Sequence, residues 1–126
     1  MAKTASLIAA FKELNNNGNR NVANFTPSLI GMFGSLSLFN ALLDEIDAAL
    51  ASGRISPSLK KRLANLSSTF IPQVAEYNGI KDPSAYPVTV EGLRGVSTGS
   101  LAERKEGVTI ILSALMAILK EAGELN

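Results

Sequence analysis

Gly95-Val96-Ser97-Thr98-Gly99 fits G-x-S-x-G, the pattern that presents a nucleophilic serine on a sharp turn. That chemistry needs a strand before the turn, a helix after it and a base to take the hydroxyl proton, normally a histidine. The chain has no histidine. Nothing in the pattern supports a lysine in that role, so the match reads as a loop that ends at a helix cap. Gly92, Gly95 and Gly99 do not form a phosphate loop either. That loop ends in Gly-Lys-Ser/Thr, whereas here Gly99-Ser100-Leu101 follows. Asp44, Glu45 and Asp47 are close enough on one helix to attract a hard cation, but no further ligands lie nearby in sequence. A solvated helix face explains them. Arg54, Lys60, Lys61 and Arg62 form the one basic cluster. It has no interleaved aromatic residue and no recognition-helix pattern, so nucleic-acid binding is not expected. Asn24-Phe25-Thr26 and Asn65-Leu66-Ser67 satisfy the glycosylation sequon. Without a secretion signal, both read as chance. No catalytic residue, metal ligand or cofactor site is expected, and the chain is read as a non-enzyme.

Composition bounds the remaining classes. A chain of 126 residues has the size of a single domain. It can bury about two thirds of its unfolded surface. The 46% hydrophobic content excludes a disordered chain, and a net charge of +1 offers no bulk field to polyanions. Charged residues make up only 18%, against roughly 25% in average domains, which points to surface covered by a partner. Cysteine is absent, so disulfides and thiolate sites are excluded. The N-terminal apolar run is broken by Lys12-Glu13 with no cleavage site after it. It reads as a helix, with a cytoplasmic location, or a place in a virion, as the expectation.

Four helices are expected, and the fold class follows as all-α: a mostly antiparallel four-helix bundle. The first spans about residues 3–15, with Thr4, Leu7, Ile8, Phe11 and Leu14 on one face. An asparagine-rich connector follows, long enough for this helix to act as an arm exchanged with a neighbouring copy. The second starts at Thr26-Pro27 and ends near Ser52-Gly53, by N-cap and C-cap logic. Leu29, Met32, Leu36, Phe39, Leu43, Ile46 and Leu50 form an a/d stripe along it, which places it at the centre of the bundle. The third starts at Ser56-Pro57 and buries Leu59, Leu63, Leu66, Phe70, Val74 and Tyr77. Pro72 should kink it or stop it near Thr69. Asn78-Gly79 closes it. The fourth follows the Ser100-Leu101-Ala102-Glu103 capping box. Its stripe is Val108, Ile111, Leu115, Ile118, Ala122 and Leu125, widened by Leu112 and Leu119.

Two stretches point outward. From Asn21 to Leu43 there are 23 residues without a charge. Ile30, Phe33 and Leu38 add apolar surface outside the stripe, and Gly31 and Gly34 let another backbone approach closely. These five residues are the expected self-association surface. As a membrane span the stretch is short: Pro27 to Leu43 is 17 residues, and Gly107 to Leu119 is 13. The second stretch is an irregular loop of about residues 80–100, with an extended run at Pro87-Val88-Thr89-Val90. Val88, Val90, Leu93 and Val96 would not all face water, so they are expected to contact a partner. A plain connector across the bundle end is the competing reading. The expectation is a structural, self-associating subunit of a larger particle, such as a virion. The alternatives are a small protein-binding module acting through the 80–100 loop, and a membrane-active helical protein.

Overall fold

The computed structural model describes residues 2–16, 36–95 and 101–126, with side chains for 4–13, 37–95 and 105–126. Every regular element among them is helical, with no strand, so the fold class is all-α. In chain order these are α1 (Ala2–Asn16), α2 (Leu36–Ser52), α3 (Pro57–Asn65), a π turn (Leu66–Phe70), α4 (Ile71–Tyr77), a 3-10 turn (Pro83–Ala85), α5 (Val90–Arg94) and α6 (Leu101–Gly123).

Helix ends follow local chemistry. The Ser56 Oγ accepts the Leu59 N–H at 3.1 Å, and Pro57 occupies the first turn of α3, where its missing N–H costs nothing. Gly53 closes α2 with φ +74° and donates its N–H to the Ala49 carbonyl at 2.9 Å. α6 starts at Leu101, directly after Ser100. Ser100 and the side chain of Glu103, which make the capping box, lie outside the described residues and side chains, as does the Thr26-Pro27 start of the second helix.

Pro72 neither stops the third helix nor leaves it regular. Proline has no N–H to give the Ser68 carbonyl, and its ring crowds that group. The preceding turn opens to π geometry, with the Ile71 N–H reaching back to the Leu66 carbonyl. One extra residue is thereby taken up, and the buried face advances by one position. Leu59, Leu63 and Leu66 are buried as the spacing predicts, but Ile71 and Ala75 then take the places expected for Phe70 and Val74. Those two are only half-buried, and Tyr77 is 90% exposed, a correction to the expected face.

Among the described residues, α6 meets the most other elements. α6 packs against α1, α2, α3, α4, α5 and the 3-10 turn. Val108, Ile111, Leu112, Leu115, Ile118, Leu119 and Ala122 are buried as the stripe predicts. Ile110, Ser113 and Ala114 are buried too, so the middle of α6 is enclosed on all sides. α6 runs antiparallel to α3–α4. Lys60 Nζ donates to the Leu125 carbonyl at 2.8 Å at one end, and Lys105 lies beside Gly79 at the other. α2 contributes Phe39, Leu42, Leu43, Ile46 and Ala49 to the same core. Leu29 and Met32 of its stripe lie outside the described residues. α1 adds Leu7, Ile8, Ala10 and Phe11, with Phe11 edge-on to Phe39 at a ring separation of 5.4 Å. Buried Thr4 hydrogen-bonds Glu121 near the end of α6.

Residues 80–95, the described part of the expected irregular loop, contain two short helical elements. Asp82 caps the 3-10 turn by accepting the Ser84 N–H at 3.1 Å. The extended run stops at Thr89, whose Oγ1 accepts the Gly92 N–H at 2.9 Å and starts α5. Val90 is therefore helical. Glu91 in the first turn and Arg94 in the last suit the helix dipole. These signals were present in the sequence, but five residues are too few to show a period.

Candidate interaction surface

The expected outward-facing residues separate in the structure. Gly31, Gly34, Ile30 and Phe33 lie outside the described residues, as does Val96. Leu38 stands on the outer face of α2 and is 58% exposed. That face continues through Ala41, Glu45 and Ala48, all exposed, so it is apolar toward the uncharged stretch and charged farther along.

Val88, Val90 and Leu93, the described members of the expected partner contact, are turned toward the chain's own core. Leu93 is 0% exposed and belongs to the chain's own core, which corrects its expected place at a partner contact. Val88 and Val90 are half-buried and pack against that core. α5 lies along α1, and Arg94 Nε donates to Glu13 Oε2 at 3.2 Å. The Ser113 hydroxyl, buried on α6, donates to the Tyr86 carbonyl at 2.7 Å and pins residues 83–88 across the helix.

Beside that strap lies a groove that the sequence did not announce. One cavity of about 630 Å³ runs between Ile71, Pro72, Lys81, Pro83 and Met116. A second, of about 580 Å³, runs between Ser84, Tyr86, Val88, Ala117 and Lys120. They meet at Ser67 and Met116. Ser67 of the π turn and Ile71 and Pro72 just after it line the groove. A third cavity of about 490 Å³ lies where Gly92 and Gly95 face the buried Gly107.

Asp44, Glu45, Lys60 and Arg62 of the charged clusters have partners within the chain. Asp44 pairs with Lys12 across α2 and α1, and their hydrogen bond holds the lysine ammonium above its ordinary range. One guanidinium nitrogen of Arg62 reaches both carboxylate oxygens of Glu45, at 3.0 and 3.3 Å. Among the described residues, no group of three or more acidic residues is placed to hold a metal. Helix α5, not a strand, leads into the G-x-S-x-G segment, and residues 96–99 of that segment lie outside the described residues.

The basic cluster is a surface by this geometry, and replacing Lys60, Lys61 and Arg62 together by glutamine should leave the fold intact. The exposed Arg62–Glu45 pair contributes about 0.2–1 kcal/mol, which a denaturant melt would register as a small shift. Binding of DNA or RNA by the native chain that falls steeply with salt and vanishes in the triple variant would contradict this.

The chain matches no family model, no curated protein and no solved structure. Among the described residues, no helix is long and apolar enough to cross a membrane.

Proposed function

We propose that this chain is a non-enzymatic structural protein, a self-associating helical subunit of a larger particle, of which a virion is one form. In this reading residues 1–126 make one domain. Its four main helices are α1, the helix ending at Ser52, the interrupted α3–α4 pair and α6, arranged as a mostly antiparallel bundle. The subunit is made in the cytoplasm and joins copies of itself.

The observation that carries the reading is Leu38. It is a large apolar side chain, 58% exposed, at the margin of a 23-residue stretch that carries no charge. Apolar surface of this kind is stabilised when a second copy covers it. Light scattering at micromolar concentration should therefore give a mass above that of one chain. Leu38→Glu should weaken the association at least about tenfold, because an unpaired carboxylate at a buried contact costs more than the 1.4 kcal/mol that a factor of ten represents. A monomeric native chain would overturn the proposal.

A small protein-binding module is the second reading, and the open groove at Ser67 and Met116 favours it. It moves the contact from Val88, Val90 and Leu93, which pack on the chain's own core, to the cleft beside them.

A further inference from the structure

We infer that Asn78–Gly79 is a site of spontaneous deamidation whose rate is governed by opening of the helix end that contains it. An asparagine followed by glycine is chemically prone to ring closure, because glycine offers its backbone nitrogen without a side chain in the way. The Gly79 nitrogen attacks Asn78 Cγ and a new N–C bond forms. The Cγ–Nδ2 bond breaks, and the amide group leaves as ammonia with the hydrogen from Gly79. Water then opens the cyclic imide at one carbonyl or the other, giving aspartate or isoaspartate.

The folded helix end opposes each requirement of this reaction. The Asn78 side chain is turned back along its own helix, and Nδ2 donates to the Val74 carbonyl at 2.8 Å. Its Cγ is thus held toward the preceding turn, while the nucleophile lies in the following residue. The Gly79 N–H is itself committed to the Glu76 carbonyl at 3.0 Å. The Ile80 N–H donates to the Ala75 carbonyl at 2.8 Å, and Gly79 sits at φ +70°. These two bonds are the paired closure of a Schellman motif. Ring closure therefore waits for the motif to open, a local event that does not require global unfolding.

The product cannot rebuild the same end. A carboxylate has no hydrogen to give the Val74 carbonyl. Isoaspartate also lengthens the backbone by one carbon between residues 78 and 79, which breaks the register of both Schellman bonds. Residues 80–88, which cross α6 and line the groove, start from this point.

Peptide mapping by mass spectrometry tests the inference. The native protein and the guanidinium-denatured chain are aged in the same mildly alkaline buffer. Conversion at Asn78 should be at least about tenfold slower in the native protein. Below the unfolding transition, added denaturant should raise the native rate in step with hydrogen exchange at the Gly79 and Ile80 amides. Equal rates in native and denatured chains would overturn the inference, as would a native rate that ignores the exchange of those two amides.

Discussion

Phe11→Ala should destabilise the protein by about 3–5 kcal/mol, the range for removing a buried aromatic ring. Phe11 is 1% exposed on α1 and meets Phe39 of α2 at 5.4 Å with the rings inclined at 63°. The loss combines burial, a cavity and an edge-to-face contact. That contact itself should appear as a coupling of about 0.5–1.5 kcal/mol in a Phe11/Phe39 double-mutant cycle. Denaturant melts give all four values. The measurement also bears on whether α1 is an exchanged arm. If α1 packs on its own chain, as here, the loss is independent of protein concentration. A loss below about 0.5 kcal/mol, the level of a surface change, would mean that α1 is not docked in solution.

Leu93→Ala should cost about 2–5 kcal/mol, although it lies in a helix of only five residues. Leu93 is fully buried, and α5 packs closely on α1. Val88→Ala should cost less, because Val88 is only half-buried. The contrast separates a segment that completes the core from one that waits for a partner. A partner-binding loop would tolerate both changes in the free protein and lose affinity with each. If Leu93→Ala melts like the native chain, residues 80–95 are detached in solution.

Much of the helical order was legible in the sequence, for a local reason. Ser56-Pro57, Ser52-Gly53 and Asn78-Gly79 act within a few residues of themselves, so their cap geometry is already implied by residue type. The 3.6-residue period likewise marks one face of a helix without knowledge of its neighbours. Leu7, Phe11, Phe39, Leu43, Ile46, Leu115 and Ile118 are buried as their spacing requires.

Tertiary structure decided what one helix's pattern cannot contain. A stripe says which face is buried, not how many neighbours share it. The stripe on the second helix therefore looked central, while among the described residues α6 meets more neighbours. The uncharged run from Gly107 to Leu119 was the available sign, and its shortness argued only against a membrane. Pro72 foretold a disturbance but not its form. Whether the helix stops, kinks or widens depends on whether Ile71 and Ala75 find a core to enter, and that core is built by α6. Leu93 and Leu38 show the same division from opposite sides. Both are leucines in apolar surroundings, and composition alone sends both outward. α5 is folded onto α1 by packing between residues some eighty positions apart, and the Arg94–Glu13 pair joins them. Leu93 is covered by that packing, whereas Leu38 on α2 stays 58% exposed. Burial is a property of the neighbours that arrive, and in this chain those neighbours come from distant sequence.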